Sequence, residues 1–143
     1  MALVYFDSSA LVKLVVEEDG SDIADQLWNG CDAAFTSRLA YPEVSAALAA
    51  AGRNRSLTKA GVKRATVLWE DFWSAIRPVE LTDELARAAG ELAGQHNLRG
   101  ADAVHLASAL ALRTDHIVFA VWDRRLSEGA VAAGFAVAPA SAG

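Results

Sequence analysis

Apolar positions change their period repeatedly along this chain, and each change marks an element. Leu3 to Phe6 is a short apolar, β-prone run followed at once by Asp7-Ser8-Ser9, side chains suited to capping a helix, and then by the apolar turn Ala10 to Val16. The pattern predicts a strand running into a helix. After Gly20-Ser21, the residues Ile23, Ala24, Leu27 and Trp28 share one helical face, and Ala33 to Thr36 is again a short strand. Pro42 fits the first turn of a helix reaching about Ala51, closed by Gly52 and Asn54. Thr58 caps the next helix, in which Val62, Ala65, Leu68, Trp69, Phe72 and Trp73 recur at helical spacing as far as Pro78.

In the second half, Thr82-Asp83-Glu84 caps a helix with Leu85, Ala88, Ala89 and Leu92 in register, and a loop near Asn97 to Gly100 leads into a buried helix after Ala101. Ile117 to Val121 is the strongest strand signal. It runs directly into Asp123 and another short helix, then Gly134 and a last strand from Phe135 to Val137. Strands separated by helices predict right-handed crossovers. The expected fold is therefore an α/β three-layer arrangement, a central mainly parallel sheet flanked by helices, with any site at the carboxyl ends of the strands.

Composition narrows this without redirecting it. With 143 residues, 53% hydrophobic and 22% charged, the chain has enough apolar material for a core. One domain is expected over 1–138, with a frayed tail at 139–143. The 13 basic and 18 acidic residues give a net charge of −5, which excludes a uniformly basic nucleic-acid binder. The single Cys31 excludes an intramolecular disulfide framework and a thiolate-rich zinc site. The first residues lack a basic leader and meet Asp7 early, and Ala101 to Leu112 falls short of the ~20 residues that span a bilayer. A cytoplasmic protein with no membrane segment is the expectation.

Four acids carry the candidate chemistry. Asp7 and Asp123 each follow a predicted strand, while Asp102 and Glu43 lie in the first turns of helices, so a parallel sheet brings all four towards one edge. Any one of them alone is explained equally well as a helix cap, but their coincidence is not. Crowded carboxylates require either protonation or a cation, and oxygen donors without a His or Cys cluster select Mg2+ or Mn2+ over zinc. Ser9 either orients Asp7 or caps the helix. His105, one turn after Asp102 within Ala-Val-His-Leu-Ala, is expected as a packed, hydrogen-bonded histidine behind the acids.

These residues have a familiar order. Asp7-Ser8-Ser9-Ala10-Leu11-Val12-Lys13, Glu43 after Tyr41-Pro42, Leu98-Arg99-Gly100-Ala101-Asp102-Ala103-Val104-His105-Leu106-Ala107 and Trp122-Asp123-Arg124-Arg125-Leu126 together resemble the PIN-domain family, and within it the VapC toxins of bacterial toxin–antitoxin modules. The resemblance runs through nearly the whole chain. It implies a PIN-like fold and a dimeric, Mg2+- or Mn2+-dependent endoribonuclease inhibited by a VapB-like antitoxin. It also implies that Asp7 and Asp102 are direct metal ligands, with Glu43 and Asp123 completing the acidic site through metal, water or both. Many relatives carry Thr or Ser two residues before the last acid, where this chain has Val121.

On that resemblance, Arg99, Arg124 and Arg125, which flank two of the acids, are expected to grip RNA phosphates. A second basic run, Arg53, Arg55, Lys59, Lys63 and Arg64, reads equally as a solvated helix face. Trp69, Phe72 and Trp73 are candidates either for core or for an antitoxin or dimer interface. Two further classes fit an Asp after the first strand: a PIN-like binding module with little turnover, and a Mg2+-dependent phosphotransfer or receiver-like domain. Haloacid-dehalogenase phosphatases carry a second Asp two residues later, where this chain has Ser9.

Overall fold

The computed structural model describes residues 2–140. The last three residues of the expected tail, 141–143, lie outside the described residues. Five strands form a single sheet in the order β3-β2-β1-β4-β5: β1 (Leu3–Phe6), β2 (Ala33–Ser37), β3 (Arg77–Val79), β4 (Ile117–Ala120) and β5 (Ala136–Ala138). All pairings are parallel, with Tyr5 opposite both Phe35 and Phe119. Parallel neighbours cannot be joined by a hairpin, so every connection carries helices.

The first two connections hold α1 (Ser8–Val15), α2 (Ser21–Gly30), α3 (Ala40–Arg53) and α4 (Lys59–Ala75). The other two hold α5 (Asp83–His96), α6 (Gly100–Ala111) and α7 (Arg124–Ala132). Side-chain alternation along the strands sorts these into layers. Val4 and Phe6 of β1 and Ala120 of β4 face Leu11, Leu14, Val44, Ala65 and Trp69 from the first set of helices. Tyr5, Ile117 and Phe119 face Leu85, Ala103, Leu106 and Leu126 from the second. The result is the three-layer arrangement expected from the sequence.

Helix starts match their caps. Thr58 Oγ1 accepts from Gly61 N, and Thr82 Oγ1 from Leu85 N, at 3.0 and 3.1 Å. The sequence pattern was misleading at Pro78, where the aromatic helix was expected to end. Instead α4 stops at Ala75 and Pro78 lies inside β3, pairing with Thr36. A proline has no N–H to donate and is tolerated here because β3 is an edge strand. The last strand begins one residue later than expected, at Ala136, and β2 extends to Ser37.

Trp69 is the largest fully buried side chain, stacked near Tyr41 and tilted against Trp73, with its indole Nε1 unpartnered among the described residues. Trp69→Ala should cost about 3–5 kcal/mol in denaturant unfolding, because removing the ring leaves a cavity. Trp69→Phe should cost far less, since it keeps an aromatic ring and removes the unsatisfied donor.

Candidate active site

The central strand sets the site. Beyond Phe6 the chain leaves the sheet at Asp7, whose backbone N–H still bonds Ala120 O of the neighbouring β4 at 3.2 Å before α1 begins. The crossover after β1 runs towards β2 and the one after β4 runs towards β5, so the sheet's topological switch lies between β1 and β4. Asp7 and Asp123 stand there as the N-caps of α1 and α7.

Asp7 is only 3% exposed. Its Oδ1 accepts from Ser9 Oγ at 2.7 Å and from Ala10 N at 2.9 Å, while Oδ2 takes no bond among the described residues. Burial pushes its pKa up to about 6, and the charge of Asp102 adds to the rise; His105 and the bonds from Ser9 and Ala10 oppose it. Asp7 is thus a carboxylate short of positive charge.

The other acids are better matched. Asp123 Oδ1 caps Leu126 N at 2.9 Å, and its Oδ2 meets Arg99 Nη2 at 3.4 Å. Arg99 Nε also donates to Asp102 Oδ2 at 3.1 Å, so one exposed guanidinium spans two acids. Glu43, in the first turn of α3, is bonded through Oε1 to His105 Nε2 at 2.6 Å. His105, one turn beyond Asp102 on α6, is buried, and its Nδ1 lies 2.8 Å from the Tyr5 hydroxyl. Burial raises the Tyr5 pKa well above the ordinary phenol value, more than the Ser108 and Thr36 hydroxyls lower it, so Tyr5 stays protonated.

The four acids therefore lie along one edge: Arg99 bridges Asp102 and Asp123, His105 holds Glu43, and Asp7 bonds neither of these two side chains. Among the described residues, no group of three or more His, Cys, Asp or Glu side chains stands close enough to hold a metal ion. The donor chemistry still fits a hard divalent cation, because all four are oxygen donors and the most buried of them is the least neutralised.

The remaining expected residues are spread more widely. Arg124 is exposed and pairs with Glu128 at 3.1 Å, and Arg125 is exposed at the same helix start. Trp69 lies in the core and presents no surface to a partner. Phe72 packs edge-on to Trp28, whereas half-buried Trp73 meets Tyr41 and lines an open hollow of about 500 Å3 with Leu39, Pro42 and Leu81. Val121 is buried among the residues under α6 and α7. Sequence reasoning missed Tyr5. Its signal was a lone hydroxyl in an otherwise apolar strand, which demands a buried partner.

The family model of the PIN domain matches residues 4–130 of the chain. Ribonuclease VapC45 and Ribonuclease VapC49, both from Mycobacterium tuberculosis, are each 64% identical to it over 140 residues, covering 98% of this chain and 97% of the relative. Ribonuclease VapC46 of the same species is 33% identical over 137 residues, 96% of this chain and 97% of the relative.

The raised Asp7 pKa has a stability consequence in cation-free protein. Folded Asp7 titrates near 6 against an ordinary value of 3.8, so stability is undiminished below about pH 4 and falls as the pH rises to 6. Asp7→Asn keeps the Oδ1 acceptor without the charge. In chemical denaturation it should exceed the parent in stability by roughly 2–3 kcal/mol at pH 7.5, with the gap closing near pH 4.

Proposed function

Because the chain belongs to the PIN-domain family, in its VapC-type branch, we propose that it is the toxin of a type II toxin–antitoxin pair. It hydrolyses RNA phosphodiester bonds as a Mg2+- or Mn2+-dependent endoribonuclease in the cytoplasm. A VapB-like antitoxin restrains it, and it works as a homodimer. The observation that carries the nuclease assignment is Asp7: a buried, under-neutralised carboxylate at the switch point of a parallel sheet, with Oδ2 uncommitted.

Asp7 and Asp102 would hold the cation, since their charges already act on one another, and Asp123 and Glu43 complete the acidic site. When bound, such a cation supplies a more acidic water and neutralises charge on the phosphate. The protein supplies the rest. Ser9 and the Ala10 N–H fix the Asp7 carboxylate by binding one oxygen and leaving the other open. Glu43, with one oxygen held by His105, orients the attacking water with the other. Arg99 lies beside the acids and is available to a phosphate at the expense of its bonds to Asp102 and Asp123. Arg124 and Arg125 extend positive charge along the start of α7.

No helix is long and apolar enough to cross a membrane among the described residues. Of the three aromatic residues considered for an interface, Trp73 is the one that borders an open hollow, and it is the candidate anchor for the antitoxin or the second copy.

Purified protein free of antitoxin, incubated with a mixed cellular RNA pool, should cut at discrete sites with Mg2+ or Mn2+ and not with chelator. Asp7→Asn should lose at least a hundredfold in rate. Thermal melting gives an independent reading: the cation should raise the melting temperature of the parent and leave that of Asp7→Asn nearly unmoved. Cleavage that survives chelation, or survives in Asp7→Asn, would reject the assignment. Arg124→Ala combined with Arg125→Ala should weaken RNA binding similarly for all sequences. It should also reduce the slope of log affinity against log salt by about 0.7 for each phosphate that the arginines neutralise in the parent.

A further inference from the structure

Tyr5 is wholly buried on β1 and stacks on Phe119 with ring centroids 5.0 Å apart. Packing alone is served by the ring, so the hydroxyl needs a separate reason, because a buried O–H is unfavourable unless bonded. Its partner is His105 Nδ1 at 2.8 Å, and the other ring nitrogen, Nε2, lies 2.6 Å from Glu43 Oε1. An ionised carboxylate only accepts, so Nε2 carries the proton and donates to Glu43. When the ring carries that proton alone, Nδ1 accepts. The neighbouring hydroxyls of Ser108 and Thr36 give their protons to the carbonyls of Val104 and Phe6, at 2.7 Å each. Tyr5 is the group left to supply the proton at Nδ1.

We propose that Tyr5 and His105 are positioning residues: the Tyr5 hydroxyl fixes the buried imidazole, and the imidazole holds one oxygen of Glu43 so that the other is left to orient the attacking water. This rests on the nuclease reading above and deepens it. The two ends differ in rigidity. Tyr5 belongs to a strand paired on both sides, whereas Glu43 is a partly exposed side chain at the start of α3. The relay transfers the position of the first to the second. Tyr5 also stands two residues before Asp7, so one short strand places both acids, Asp7 directly and Glu43 through His105. With both ring nitrogens engaged, the imidazole cannot flip without losing both bonds.

The test is Tyr5→Phe in the full chain, with cleavage followed at one mapped site. The expected result is a roughly tenfold fall in kcat with KM unchanged, and with divalent-cation affinity, read by calorimetry, also unchanged. In a Glu43→Ala background the same substitution should have no further effect. A second readout needs neither RNA nor cation: in protein labelled with 15N-histidine, the Nε2–H signal of His105 should be protected in the parent and lost in both Tyr5→Phe and Glu43→Ala. An unchanged kcat, or effects of the two substitutions that multiply, overturns the proposal while the nuclease reading stands. A parent protein that cleaves nothing with either cation overturns both. Should Tyr5→Phe fail to fold, His105→Gln, which retains a donor for Glu43, should keep more of kcat than His105→Leu. Equal losses overturn the proposal.

Discussion

A charge is held at the end of the central strand of a parallel sheet, and most of the molecule is arranged around that constraint. Asp7 cannot retreat into solvent, because β1 is flanked on both sides and Asp7, directly after it, is itself buried. Nor is it neutralised in place, since Arg99 is engaged with Asp102 and Asp123 and His105 with Glu43. Ser9 and the first turn of α1 hold it by hydrogen bonds, which fix direction without cancelling charge. Desolvation is stronger than all of these, which is why the carboxyl titrates well above its ordinary range.

The same geometry explains why acids gather at this edge. In an all-parallel sheet every strand ends where a helix must soon begin, and helix starts favour Asp because its oxygen meets free N–H groups. Asp7 and Asp123 satisfy that local demand at Ala10 and Leu126. Each spends one oxygen on the cap, so the other turns away from the helix. Capping takes one oxygen of the side chain and leaves the other for the proposed chemistry, so choosing between them as explanations, which the sequence alone invites, is unnecessary for these two residues.

What was legible followed from periodicity and caps. The strand runs at Leu3, Ala33 and Ile117 and the caps at Asp7, Thr58, Thr82 and Asp123 all lie where apolar period and capping chemistry agree. The short β3 did not, because proline within a run argues against a strand unless its edge position is already known, and edge position belongs to topology. Trp69, Phe72 and Trp73 share a helical spacing but part company in space: one is core, one packs on Trp28, and one borders a hollow. Spacing reports which face a residue is on, and not how far the neighbouring layer covers that face. Tyr5 was hidden for the opposite reason. Its ring suits a strand so well that the one available signal, a lone hydroxyl among apolar neighbours, is easily passed over.

The net charge of −5 looks ill suited to a polyanionic substrate only if charge is averaged over the surface. Locally, Arg99 stands between two acids that hold it by weak, solvent-exposed bonds, and such pairs contribute little to stability. A guanidinium held this way can move from carboxylate to phosphate at small cost, because the bonds it gives up are replaced by bonds of the same kind. The freed carboxylates would then need another positive charge, and Asp7, beside them, already lacks one. On the proposed function, substrate and cation would be coupled through the same electrostatic deficit: taking Arg99 away from Asp102 and Asp123 would strengthen the site's demand for a divalent ion, and supplying that ion would release Arg99 for the phosphate.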